Sequence, residues 1–337
     1  MHRAMKDQTD LFNDANTSEP PARKGTKVKP VSVRHPTAPM LESQDELYEG
    51  WVRQLEASGR YRVLRQLAPR PIVRRAPAAT EKIAVIVDVE TTGLDHSKDE
   101  VIELAMVAVT YSDNGQIGDV IDTYSSLREP SVPISPTITE LTGITAEMVT
   151  GKALDNDAVT ALLKHVDLVI AHNARFDRPF CERVSPEFQH KAWACSFSEI
   201  AWSELGFEGA KLGYLVSQFG WFHRGHRAVD DCLALLEVLA TPVPHYPGNG
   251  FLRLLEAASL SKYRIWAENS PFDLKDVLKA RGYRWSDGSD GRPRCWWTEV
   301  SEDNRESELH FLRTEIYRHD VDVRVQRLTA LDRFRRD

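Results

Sequence analysis

The run Ile83-Ala84-Val85-Ile86-Val87-Asp88-Val89-Glu90-Thr91-Thr92-Gly93-Leu94 is the feature that most constrains this chain. Its first half is an apolar, β-branched strand of the kind buried in the middle of a sheet. Its second half carries two acids, two residues apart. Alternate residues of a strand project from the same face, so Asp88 and Glu90 point together. Two carboxylates side by side in a buried sheet repel each other and lose hydration. A cation between them relieves both costs, and an all-oxygen ligand set suits magnesium or manganese. A wet edge strand would also tolerate the pair, so the rest of the chain has to decide.

The surrounding pattern gives an α/β domain. Strands are predicted at 83–90, 101–111 and 117–127, with the turn Asp113-Asn114-Gly115 joining the last two as a hairpin. Helical turns follow near 137–150 and 157–165. A short buried strand, Leu168-Val169-Ile170-Ala171, leads into a helix near 175–184. A strand around Trp193-Ala194-Cys195 and helices near 211–219 and 228–240 complete the unit. The sequence Pro242-Val243-Pro244-His245-Tyr246-Pro247-Gly248-Asn249-Gly250 reads as a linker. After a helix at 251–259, the remainder reads strand, helix, strand, strand, helix, strand, a smaller α+β unit with the ferredoxin-like pattern.

The expected organisation is therefore a basic N-terminal arm over 1–80, mostly disordered with one amphipathic helix at 41–58; the α/β domain over 81–242; a linker at 243–250; and a small α+β domain over 251–337. Charge follows the same divisions. Residues 1–80 carry 14 Lys+Arg against 9 Asp+Glu, whereas residues 81–246 carry 12 against 25. Such an acidic segment argues against phosphate binding by a plain basic surface and fits a site that gathers divalent cations. The four cysteines form no CxxC pair, which disfavours a zinc site or a disulfide framework. No secretory leader or membrane-spanning run is visible, so the cytoplasm is the expected compartment.

Two further stretches bear acids. In Ala171-His172-Asn173-Ala174-Arg175-Phe176-Asp177, Asp177 falls in the first turn of a helix, with His172 and Asn173 at the turn before it. In His226-Arg227-Ala228-Val229-Asp230-Asp231, Asp231 shares a helix face with Ala234, Leu235 and Val238 and is the better buried ligand. His226 has a side chain suited to proton transfer near neutral pH.

Together, Asp-x-Glu-Thr-Thr-Gly-Leu, His-Asn-Ala-x-Phe-Asp and His-x-x-x-x-Asp resemble the DEDDh family of 3′→5′ exonucleases, over about half the chain. That family includes the proofreading epsilon subunit of bacterial DNA polymerase III, ribonuclease T and oligoribonuclease. The resemblance implies a ribonuclease H-like fold, a mixed sheet flanked by helices. It implies that Asp88, Glu90, Asp177 and Asp231 hold two divalent ions, Mg2+ or Mn2+, and that His226 is the general base. It also implies that Thr91, Thr92, Leu94, His172 and Asn173 contact the 3′-terminal nucleotide. The substrate would be single-stranded or frayed DNA 3′ ends, in proofreading or repair. An RNA 3′→5′ exonuclease and a non-catalytic nucleic-acid- or clamp-binding module remain the other readings.

Two elements lie outside that resemblance. Gln8-Thr9-Asp10-Leu11-Phe12 resembles the short peptide with which bacterial replication proteins bind the sliding clamp, implying contacts by Gln8, Leu11 and Phe12 and a place beside a polymerase subunit. In the C-terminal region, Arg281, Tyr283, Arg284, Trp285, Trp296 and Trp297 interleave arginine with aromatics. That pattern suits stacking on nucleic acid, but alternating aromatics on adjacent strands more often pack inward as a core.

Overall fold

The computed structural model describes residues 41–289 and 291–335. The chain forms two units, Met1–Arg62 and Val63–Asp337. In the first, Leu41–Ala57 is a single helix. Its residues Leu47, Trp51 and Leu55, spaced four apart, are all substantially exposed. The clamp-like residues Gln8, Leu11 and Phe12 and the expected disorder of 1–40 lie outside the described residues.

The second unit is built on a five-stranded mixed sheet. Its order is Ile117–Leu127, Val101–Tyr111, Lys82–Thr91, Leu168–Ala171, Ala192–Cys195. The first two junctions are antiparallel and the last two parallel. A mixed sheet flanked by helices is the arrangement expected of a ribonuclease H-like fold. Alternation in the central strand sets its two faces. Ile83, Val85, Val87 and Val89 pack with Phe180 and Cys181 of the helix Ala174–Val184. Ala84 and Ile86 pack with Ala228, Cys232, Leu235 and Leu239 of the helix Ala228–Ala240. The period of two continues, so Asp88 and Glu90 share the face of Ala84 and Ile86, beneath the helix that carries Asp231.

The hairpin turn packs inward. Gly115 adopts φ +79°, and a Cβ there would fall 2.4 Å from Leu252 Cβ. Leu252 belongs to the helix Gly250–Ser259, whose Phe251 and Leu254 are fully buried in the core beneath the sheet. Phe251 stacks edge-on against Tyr111 at 5.1 Å. The helix expected to open the C-terminal domain therefore completes the core of the preceding one, because its apolar face has nowhere else to be buried.

The Arg- and Pro-rich stretch 63–80, read from sequence as part of a loose arm, is bound along the domain. Arg65–Gln66 pairs in parallel with Trp221–Phe222. Arg70 Nε and Nη2 bond Glu237 at 2.5 and 2.9 Å, and Arg75 bridges Glu81 and Asp119 at 2.7 Å each. The arginines of one segment answer the acids of the next, a pairing that composition foreshadows and local periodicity cannot locate.

The C-terminal strands form a separate four-stranded sheet in the order Arg324–Leu328, Lys262–Ala267, Trp296–Ser301, Arg284–Trp285. Every pairing is antiparallel. By chain order this is 4-1-3-2, with helical segments over Phe272–Ala280 and Glu302–Tyr317 between strands, which is the ferredoxin-like arrangement. Its core gathers Ile265, Ala267, Leu278, Tyr283, Leu309, Leu312 and Ile316. After the last strand the chain returns to the first sheet. Trp193 N donates to Ala330 O at 2.7 Å, and the buried Arg333 meets the buried Glu199 at 2.5 Å.

Candidate active site

Asp88, Glu90 and Asp231 each offer a carboxylate oxygen, and the three oxygens lie within 4.8 Å of one another. The central strand supplies the first two and the helix Ala228–Ala240 the third. Asp177 arrives from the opposite side of the sheet, on the helix Ala174–Val184, and is buried. It stands outside the triad of oxygens but acts on it electrostatically. Burial holds the Asp88 carboxyl well above the carboxylate range, and the charges of Asp177, Asp231, Glu90 and Glu103 push the same way. Burial first, then Asp231, Glu103 and Asp177, raise Glu90 to about 8, against the pull of Arg227. Burial raises Asp177 to about 7, opposed by hydrogen bonding from the Val89 backbone. Carboxyls crowded so closely that they hold protons near neutral pH have the donor chemistry of a hard divalent-cation site.

Two residues that sequence reasoning did not single out shape the cluster. Glu103 lies opposite Glu90 across the strand pair and is almost wholly buried. It bonds Arg227 at 2.8 and 3.2 Å and accepts the Ala228 amide at 3.1 Å, anchoring the start of the Asp231 helix. A lone acid in the otherwise apolar Val101–Tyr111 strand was the available signal. The second residue is His223, whose Nε2 lies 2.8 Å from Asp231 Oδ1. His226 meets the same carboxylate differently. Its backbone N–H donates to Asp231 Oδ2 at 2.8 Å, while the residue itself is exposed. It does so at φ +62°, in the left-handed region that a non-glycine residue seldom occupies. Such strain persists where surrounding bonds hold it and is common at functional sites.

The loop after the central strand is tightly specified. Thr91 Oγ1 donates to Gly93 O at 2.6 Å, and Thr92 Oγ1 lies 3.2 Å from Asp99 Oδ1 and accepts the Glu100 amide at 3.0 Å. A Cβ on Gly93 would fall 2.5 Å from the Asp99 carboxylate, so a side chain there would displace Asp99. Both threonine hydroxyls thus shape the loop. Leu94 is left 58% exposed, an apolar side chain turned to solvent.

His172 is held by bonds on both sides of its ring. Its Nδ1 lies 2.8 Å from Ser196 Oγ and its Nε2 2.7 Å from Ala210 O. Burial lowers its pKa to about 4, so the ring is neutral at physiological pH. Both nitrogens are engaged within the protein, and the ring ties the end of one strand to the short helix Ser196–Glu199 and to the loop at Ala210. Asn173, beside it, starts the Asp177 helix at φ +146°, with no side-chain capping bond.

Residues 85–239 match the family model of exonucleases, RNase_T. The chain carries an exonuclease-family domain. Among curated relatives, the PolC-type DNA polymerase III of Thermotoga maritima is 30% identical over 241 residues, 67% of this chain and 17% of that protein. The PolC-type polymerase III of Listeria monocytogenes is 33% identical over 160 residues, 44% of this chain and 10% of that protein. The chain spans less than a fifth of the length of these relatives. Among solved structures, an Exonuclease X complex with 5′ overhanging duplex DNA is 25% identical, covering 52% of this chain and 90% of that one at a TM-score of 0.35. A zinc-bound E. coli ExoI–ssDNA complex is 14% identical, covering 65% and 63% at 0.43. Among the described residues, no helix is long and apolar enough to cross a membrane.

Proposed function

We propose that this protein is a metal-dependent 3′→5′ exonuclease that releases nucleoside 5′-monophosphates from DNA ends. The observation that carries the reading is the convergence of Asp88, Glu90 and Asp231 oxygens within 4.8 Å in an exonuclease-family domain. Asp88, Glu90 and Asp231 would hold one divalent ion, and Asp88 with Asp177 a second. When bound, Mg2+ or Mn2+ supplies charge neutralisation of the scissile phosphate and lowers the pKa of water.

The remaining work falls to the chain. His226, exposed at the mouth of the site, accepts the proton of the attacking water. His223 positions Asp231 through its 2.8 Å bond and leaves the other Asp231 oxygen to the His226 amide. Exposed Leu94 packs against the terminal nucleotide, and the rigid Thr91–Gly93 loop fixes where that contact lies. Asn173 starts the helix that brings Asp177 to the site.

The relatives are polymerase III proteins, which favours DNA and a place in replication or repair. A clamp contact through Gln8, Leu11 and Phe12 and a polymerase partner belong to the same proposal. The test is a gel assay on matched 5′-labelled single-stranded DNA and RNA, with Mn2+ or chelator. A ladder shortening from the 3′ end on DNA, absent with chelator and in Asp231→Ala, is the expected result. A ladder on RNA alone would reassign the substrate, and none on either would overturn the nuclease reading.

A further inference from the structure

The loop that carries His223 and His226 is fastened by a segment far from it in sequence. Trp221–Phe222, directly before His223, pairs with Arg65–Gln66 and, among the described residues, with no other strand. Arg65 N donates to Gly220 O and Leu67 N to Phe222 O, each at 2.9 Å. The side chains of Leu67 and Trp221 pack against the core that the helix Ala228–Ala240 helps to build. Three residues beyond Leu67, Arg70 grips that same helix. Its Nε and Nη2 meet the two oxygens of Glu237 at 2.5 and 2.9 Å, and its Nη1 donates to Gly118 O at 3.4 Å.

These contacts close a ring. From Asp231 it runs through the 2.8 Å bond to His223, along one residue to Phe222 and across to Leu67. It continues to Arg70, crosses to Glu237 and returns along the helix to Asp231. The lengths match. Asp231 and Glu237 are six residues apart, about 9 Å along a helix axis. Leu67 and Arg70 are three residues apart, about 9 Å of extended chain. Pro69 and Pro71 favour that extended course, since each fixes its own φ and turns the residue before it away from the helical region.

The helix is the rigid side of the ring, with Cys232, Leu235, Leu236 and Leu239 buried. The loop is the soft side. Its His226 sits at φ +62°, and the His223 ring and the His226 amide both reach the Asp231 carboxylate. The entropy of ordering the loop opposes those two bonds. Fastening Phe222 removes part of that cost in advance. We propose that residues 65–70 are a positioning strap that holds His223 on Asp231 and so prepares that carboxylate for the divalent ion; it rests on the metal-dependent nuclease reading above. The strap lies outside residues 85–239, the exonuclease match, so the site is steadied from a segment that precedes the family domain.

The test uses the full chain. Metal-free hydrogen–deuterium exchange follows peptides covering 221–227 and 232–240, and electron paramagnetic resonance follows Mn2+ binding. Arg70→Gln, which loses the ion pair, and Leu67→Pro, which loses the N–H, are each expected to speed exchange over 221–227 at least fivefold. Exchange over 232–240 should stay within twofold, and Mn2+ affinity should fall at least threefold. Arg75 bonds Glu81 and Asp119 and takes no part in the ring, so Arg75→Gln should change neither readout. Because the path runs through His223, adding Arg70→Gln to His223→Ala should cost less than a further twofold in Mn2+ affinity. Should Leu67→Pro fail to fold, Arg70→Gln decides. Unchanged exchange over 221–227, equal acceleration of loop and helix, an equal effect of Arg75→Gln, or full additivity with His223→Ala overturns the strap. Hydrolysis of 5′-labelled oligo(dT) with Mn2+ separates the two proposals. If wild type binds Mn2+ but shortens no strand, and Arg70→Gln loosens the loop and weakens Mn2+ as stated, the nuclease reading fails and the strap stands. If wild type shortens the strand and Arg70→Gln leaves exchange and Mn2+ affinity unchanged, the strap alone fails.

Discussion

The two sheets of this protein solve opposite charge problems. The five-stranded sheet gathers acids on the face beneath the helix Ala228–Ala240. The four-stranded sheet gathers arginines over a floor of two indoles. Guanidinium groups are tolerated there because an aromatic face offers electron density and covers their flat sides. Carboxylates find their neutral partners in N–H donors instead, as Asp231 does in the His226 amide and Glu103 in that of Ala228. Within the acid cluster, Arg227 answers Glu103 and pulls only weakly on Glu90, so the other acids stay crowded and hold protons. The arginines have indoles and acids of the protein itself as partners, whereas Asp88 and Glu90 stay crowded by like charge.

That contrast can be broken at several points. The largest effect is expected from Asp88→Ala, which removes the acid crowded by all the others. Hydrolysis should fall at least about a thousandfold, while the thermal midpoint of the metal-free protein holds or rises as repulsion is relieved. Unfolding of the variant on a calorimetric scan would mean that the acid is structural. Next is the division of labour between two histidines. His226→Ala is expected to slow turnover by about 10²- to 10⁴-fold at unchanged Mn2+ affinity. His223→Ala should instead weaken Mn2+ binding by about 10- to 100-fold, since it orients Asp231. Titrations that gave the reverse assignment would exchange their roles.

Arg333→Ala probes the link between the sheets. It strands the buried Glu199 carboxylate, which should cost about 3–5 kcal/mol in a denaturant titration. A change under about 1 kcal/mol would show that the returning tail contributes little. The smallest effect concerns pH. Glu90 and Asp177 titrate near 8 and 7 in the fold but near 4 in an unfolded chain. Between those limits the folded state binds more protons, so metal-free stability should fall as pH rises from about 5 to 8. Added Mn2+ should raise the melting temperature more at pH 8 than at pH 5. A metal-induced shift independent of pH would place the ion elsewhere.

Much of this was legible in the sequence. The strands 101–111, 117–127 and 168–171 have the bounds read from the sequence. The βαββαβ order gave the second sheet's pattern, and face arguments put Asp88, Glu90 and Asp231 on converging surfaces. What escaped depends on distant partners. Nothing local marks Arg70 for Glu237, Arg333 for Glu199 or His223 for Asp231, since each pair is fixed by the assembled fold. The bonds of His172 to Ser196 and the Ala210 carbonyl escaped too, because a histidine beside a motif looks the same in sequence whatever its nitrogens face. The C-terminal aromatics divided. Tyr283 is buried and donates to Glu308 at 2.9 Å, Trp297 is floor, and Trp285 is exposed at the sheet edge. Alternation told which residues share a face but not what would cover it.

The most direct test of the central claim is Mn2+ binding at pH 7.5, read by the loss of the free-ion electron paramagnetic resonance signal, for wild type and Asp231→Ala. The expected result is saturable binding by wild type that Asp231→Ala weakens by an order of magnitude or more while its fold, by circular dichroism, is unchanged. Equal binding by the two proteins, or none by wild type, would contradict the reading of these acids as a metal site.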